Sequence, residues 1–116
     1  MKVSNIKTKH ITREERIGKR LLLDGSFSER EGVFELNITS GRNDVSRIER
    51  KLGIEFHRER ERTQDGLGHY YRYCVLNKSQ AYKLLTYLNQ KAISRNDEPF
   101  SADETQTILA KYQGEI

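Results

Sequence analysis

Between residues 42 and 62 the chain concentrates side chains that donate hydrogen bonds. Arg42, Asn43, Ser46, Arg47, Arg50 and Lys51 come first, followed by Arg58, Arg60 and Arg62. A guanidinium fork matches the paired acceptors on a guanine edge or the oxygens of a phosphate, and an asparagine amide matches adenine in the same two-bonded way. Bond-making chemistry is harder to assemble. The sequence holds no Gly-rich phosphate loop and no Ser/His/Asp or Cys/His grouping. His10, His57 and His69 have no metal-ligand spacing and read as structural or surface residues. Acid pairs such as Glu14-Glu15 fall in a helix first turn, where they complement the helix dipole. The inventory therefore points to binding, with no catalytic residue, metal, cofactor or small-molecule ligand expected.

Spacing decides what these donors can reach. A helix is predicted from about Arg42 to Leu52, because Val45, Ile48 and Leu52 share one face at i, i+3 and i+7 and Gly53 sits where a left-handed C-cap belongs. Asn43, Arg47, Arg50 and Lys51 then form a polar stripe, with Arg47 exposed opposite the apolar face. A solvated helix face has the same pattern. What favours groove readout is the preceding stretch, in which a short helix leads into a tight turn.

That stretch begins with a capping box at Thr12-Arg13-Glu14-Glu15, which opens a helix carrying Ile17 and Leu21 and ending at Asp24-Gly25. A second box at Ser28-Glu29-Arg30-Glu31 opens a short helix that carries Val33, Phe34 and Ile38. Thr39-Ser40-Gly41 follows as a polar turn, its glycine suited to backbone angles that other residues resist. Beyond Gly53, Ile54 to Arg58 alternates as a strand does, and Asp65-Gly66-Leu67-Gly68 signals a reversal into a second strand from His69 to Leu76. By period-two counting Arg58, Arg60 and Arg62 share one side of the first strand, with Glu59 and Glu61 on the other. Such a row suits phosphate contacts; the plainer alternative is an exposed hairpin laced with salt bridges.

The stretch FELNITSGRNDVSRIERKLGIEF with the hairpin behind it resembles a helix-turn-helix of the winged type, as found in small regulators of phages and mobile elements. The resemblance covers residues 12–76. It implies an α+β, mostly α fold: three helices, a β-hairpin wing and a C-terminal helical extension. It also implies that Phe34, Ile38, Val45 and Ile48 knit two helices together, and that Arg42, Asn43, Ser46, Arg47 and Arg50 face outward. Glu35 stands where the motif favours a small residue and Thr39 where it favours glycine, so a longer or looser turn is expected.

Composition sets the outer bounds. At 116 residues, with 34% hydrophobic and 33% charged side chains, the chain can build one modest core. The net charge of +4 is uneven, since residues 1–23 hold seven Lys/Arg against two acids while residues 24–41 hold four acids against one Arg. This favours a polyanionic partner. Residues 1–11 read as a flexible basic arm able to reach a minor groove or the backbone. No apolar run is long enough for a membrane span, no signal-peptide core follows Met1, and a single cysteine, Cys74, reads as a small core thiol in a reducing, cytoplasmic setting.

Residues 77–116 are expected to be helical. Ala81, Leu84, Leu85, Leu88 and Ala92 form an amphipathic stripe, and Ser101-Ala102-Asp103-Glu104 opens a last helix lined by Ile108, Leu109 and Tyr112. The stripe either completes the core or pairs with a second copy, and its length favours a homodimer. The expected function is sequence-specific binding of double-stranded DNA, as a transcriptional regulator or an architectural accessory of a phage or mobile element. The rival is a winged-helix module that binds a host or structural protein. RNA binding, with Tyr70, Tyr71 and Tyr73 stacking on bases, ranks below both.

Overall fold

The computed structural model describes residues 10–116, and the expected basic arm lies almost wholly outside them. The described residues hold five helices and one three-stranded antiparallel sheet. The chain enters helix α1 (Arg13–Asp24) through a complete capping box. Thr12 Oγ1 accepts from the Glu15 amide, and the Glu15 carboxylate accepts from the Thr12 amide. Gly25, at φ 85, closes the helix in the left-handed region. Strand β1 (Ser26–Ser28) follows at once; it is a three-residue strand that alternation over so short a run does not reveal.

Helix α2 (Glu29–Glu35) is shorter than expected, which moves two residues. Ile38 lies beyond the helix and Phe34 points outward, 74% exposed with Arg30 over its ring. The cause is Gly32. It is the buried residue of α2, and a Cβ there would stand 3.0 Å from the Phe27 ring and 3.1 Å from the Ile38 carbonyl. With the helix pressed this close, Phe34 has no access to the core. Ile38 reaches it instead from the loop, anchored by its amide donating to the Gly32 carbonyl at 2.7 Å. Phe34 therefore does not knit the two helices together, while Ile38, Val45 and Ile48 are buried as expected.

Helix α3 (Gly41–Leu52) begins after a five-residue link in which Asn37 and Ser40 both take positive φ, at 57° and 58°. Gly41 is not the permissive residue of that turn. It is the first residue of α3, and it must be glycine because a Cβ would stand 3.0 Å from the same Phe27 ring. Phe27, fully buried, is thus clasped between Gly32 and Gly41 and fixes the approach of α2 to α3. Gly53, at φ 67, ends α3 as its sequence position foretells.

Strand β2 (His57–Arg62) starts three residues later than the alternation suggests, because the Phe56 amide donates to the Glu49 carboxylate and not to a strand partner. It pairs with β3 (His69–Cys74), which also pairs with β1, giving the order β1-β3-β2. Cys74 is partly buried, which pushes its thiol pKa up.

Helix α4 (Lys78–Ser94) lays Ala81, Leu84, Leu85 and Leu88 into the core formed with Ile17, Leu21 and Ile48. Gly18 of α1 faces this helix directly, since a Cβ there would stand 3.4 Å from both Leu84 and Leu88. Helix α5 (Ala102–Leu109), capped by Ser101 and Glu104, adds Ile108 and Leu109. The apolar stripe is therefore covered within the chain, and the reason for expecting a second copy to cover it lapses. The C-terminal segment also completes α1, whose last turn holds no basic residue. Lys111 Nζ donates to the Leu23 carbonyl at 2.7 Å and Tyr112 Oη to the Leu22 carbonyl at 2.5 Å. No helix among the described residues is long and apolar enough to cross a membrane.

Candidate nucleic-acid interface

Helix α3 buries Gly41, Asp44, Val45 and Ile48 on one side and turns the opposite crest to solvent. At 100° per residue the centre of that crest is Asn43, Ser46 and Arg50, with Arg42 at its edge nearest the hairpin. Arg42, Asn43 and Arg50 are exposed and Ser46 is half-buried. Among the described residues neither Arg42 nor Arg50 is in an ion pair.

Arg47 is exposed as expected, but its guanidinium is not without partners. Its Nε donates to Glu14 at 3.0 Å and its Nη2 to Asp44 at 2.9 Å, so the guanidinium leans over α1. Lys51 follows it, with Nζ 2.8 Å from the same Glu14 carboxylate. The Tyr87 hydroxyl of α4 donates to Glu14 as well, at 3.1 Å. Burial alone would raise the Glu14 pKa, but the donors on Lys51, Tyr87 and Arg47 more than offset it and hold the carboxyl below its ordinary value. Burial raises the Tyr87 pKa, and the neighbouring Glu14 charge adds to the effect. Asp44, almost fully buried in the first turn of α3, accepts from Arg13 as well as Arg47. Arg47 and Lys51 are thus fasteners joining α3 to α1 and, through Glu14, to α4.

The hairpin divides its charges by face. The register sets Arg58 opposite Tyr73, Arg60 opposite Tyr71 and Arg62 opposite His69 on one face, and Glu59 opposite Arg72 on the other. The arginine row is on the α3 side. Arg58 bonds both Glu49 oxygens, at 2.8 and 2.9 Å, with its guanidinium 4.9 Å from the buried Tyr73 ring. The Glu49 bond keeps Arg58 firmly protonated, its pKa raised. On the far face Arg72 links Glu61 and Glu31, which ties the hairpin to α2. The salt-bridged alternative thus holds at Arg58 and Arg72, while Arg60 and Arg62 are in no ion pair among the described residues.

The nine polar residues singled out in the sequence therefore separate into two groups. Arg42, Asn43, Ser46, Arg50, Arg60 and Arg62 lie along the α3 crest and the arginine face of the hairpin. Arg47, Lys51 and Arg58 are held by carboxylates at the flanks. The carboxylates themselves were missed. Asp44 stands i,i+3 from Arg47 and its role was readable, but Glu14 lies 33 residues away from Arg47 and no local signal links them.

A family model described as Uncharacterised protein PM1773 matches residues 3–115, and the chain belongs to that family. No curated protein and no solved structure matches it.

Proposed function

We propose that this member of the PM1773 family is a winged helix-turn-helix protein that binds double-stranded DNA, with α3 as the recognition helix and the β2–β3 hairpin as the wing. The element order α1-β1-α2-α3-β2-β3, the strand order β1-β3-β2 and the α2–link–α3 packing around Phe27 support this reading. The observation that carries it is the α3 crest. Arg42, Asn43, Ser46 and Arg50 present base-matching donors that no ion pair among the described residues occupies, beside an arginine-bearing strand joined to the same helix through Glu49. A role in regulating transcription or shaping the DNA of a phage or mobile element, in the cytoplasm, follows from the same reading.

In this arrangement Asn43 and Arg50 reach base edges, Arg42 and Ser46 flank them, and Arg60 and Arg62 meet phosphates. Arg47, Lys51 and Arg58 set the pose of the helix and the wing. Selection from random duplexes, followed by titration across a salt series, tests the proposal. A selected site should bind at least about a thousandfold more tightly than a scrambled duplex, with an affinity that falls steeply as salt rises. A protein that enriches no sequence and leaves heparin at low salt would contradict it. The protein-interaction reading would then gain from the apolar cleft lined by Val33, Phe34 and Tyr70 between α2 and the hairpin.

A further inference from the structure

The turn between β2 and β3 exposes an apolar side chain that the fold does not use. Leu67 is 89% exposed, more than any other large hydrophobic side chain among the described residues. Its backbone is nevertheless fixed. The Leu67 amide donates to Asp65 Oδ1 at 2.9 Å, and the Thr63 hydroxyl donates to the same oxygen at 2.6 Å. The Gly66 amide donates to the Thr63 carbonyl at 2.9 Å and the Thr63 amide to the Gly68 carbonyl at 3.0 Å, while Gly66 takes the positive φ of 74° that the reversal requires. The turn therefore draws on Thr63, Asp65 and Gly66, and nothing in it calls for a leucine.

The surroundings of Leu67 are cationic. It borders an open concavity of about 410 Å³ with Arg60 and Arg62. The carboxylates nearby are engaged, Glu61 by Arg72 and Asp65 within the turn. An apolar tip flanked by guanidinium groups has the composition of a minor-groove wedge, with cations for the backbone and apolar atoms for the faces of the bases. The hairpin also has the reach. Glu49 ties Arg58 to α3, and from Arg58 to Arg62 the strand rises about 13 Å at about 3.3 Å per residue, with the turn lying beyond. Half a helical turn of B-DNA, which separates a major groove from the next minor groove, is about 17 Å.

We propose that Leu67 is a wedge that enters a base-pair step in the minor groove adjoining the major groove occupied by α3, and bends the duplex there. The proposal rests on the reading of α3 as recognition helix and of the hairpin as wing. Burial of the leucine side chain between bases removes apolar surface from water. The stacking lost in exchange costs least at a flexible pyrimidine–purine step such as TA or CA. The wing tip thereby selects a deformable step at a position where Leu67 makes no hydrogen bond to a base.

The test uses the full chain and a duplex selected from random sequence, labelled at its two ends with a fluorescent donor and acceptor. Binding of the wild-type protein should raise energy transfer as the ends approach. A 2-aminopurine placed at the wedged step should brighten as it unstacks. Leu67→Ala should unfold in urea as the wild type does, because the side chain it removes is exposed. It should still bind the selected duplex, about tenfold more weakly, with energy transfer and 2-aminopurine emission left at their free-duplex values. Leu67→Met, which keeps a long apolar side chain, should recover both signals. A straight duplex in the wild-type complex, or a bend that survives in Leu67→Ala, would overturn the proposal. Failure of the wild type to select any duplex would overturn the DNA reading beneath it, which sets that outcome apart from a failure at Leu67.

Discussion

On one flank of α3, Arg47 and Lys51 share the carboxylate of Glu14; on the crest of the same helix, Arg42 and Arg50 have no such partner among the described residues. The residue types are the same and the helix is the same. The difference comes from what the rest of the fold brings alongside. Where α1 and α4 approach, they carry Glu14 and Tyr87, and the cations there become structural. Where no described residue packs, the cations keep their donors available. The hairpin repeats the contrast over a few residues, since Arg58 is held by Glu49 and Arg62 is not. Counting arginines therefore overstates an interface, and satisfied charge has to be set apart from available charge.

Removing the most buried fastener should break the contrast most visibly. Asp44→Ala deletes an acceptor shared by Arg13 and Arg47 and should cost about 2 kcal/mol of stability. Urea unfolding would show a lower midpoint with an unchanged slope. A loss below about 0.5 kcal/mol would place Arg47 with the free cations of the crest.

Glu14→Gln acts on the other anchor. It keeps an acceptor for Tyr87 but loses the charge that holds Arg47 and Lys51, and should cost about 1 kcal/mol. The two released cations should also strengthen sequence-independent DNA binding and steepen its salt dependence by about one to two units. The pH dependence has a definite sign. Because the folded carboxyl titrates below its ordinary value, the Glu14 contribution is complete above that value, near 4.5, and is lost as pH falls through the lower folded value. An acid titration of stability should show this loss in the wild type and a shallower one in Glu14→Gln.

The smallest effect on stability is expected at the wing tip. Arg62→Ala should leave unfolding unchanged within about 0.5 kcal/mol while lowering the salt slope of DNA binding by about 0.9. Arg58→Ala should do the reverse, loosening the hairpin measurably through the lost Glu49 bonds.

What the sequence disclosed follows from the range of each interaction. Thr12, Gly25, Gly53 and Ser101 act within a few residues of themselves, so the helix ends they mark were legible almost to the residue, whereas the end of α2 was not. Val45 and Ile48 were legible through helical period, and the arginine row through strand period. Phe34 misled because helical spacing cannot reveal that Gly32 and Gly41 bring two helices onto the Phe27 ring. Arg47 is exposed as its spacing indicates, but its bond to Glu14 was not legible because that partner belongs to another helix. Strand β1 is too short for alternation, and only its pairing with Tyr73 and its neighbours on β3 defines it.

The most direct test compares one cation from each population. Arg47→Ala and Arg50→Ala would each be titrated against a selected duplex and a scrambled one, with folding checked by urea unfolding. Arg50→Ala should keep its stability within about 0.5 kcal/mol and lose about 1–3 kcal/mol of binding to the selected site only. Arg47→Ala should unfold more easily and lose little discrimination between the two duplexes. The opposite pattern, with selectivity lost at Arg47 and kept at Arg50, would contradict the division between fastening and reading residues on α3.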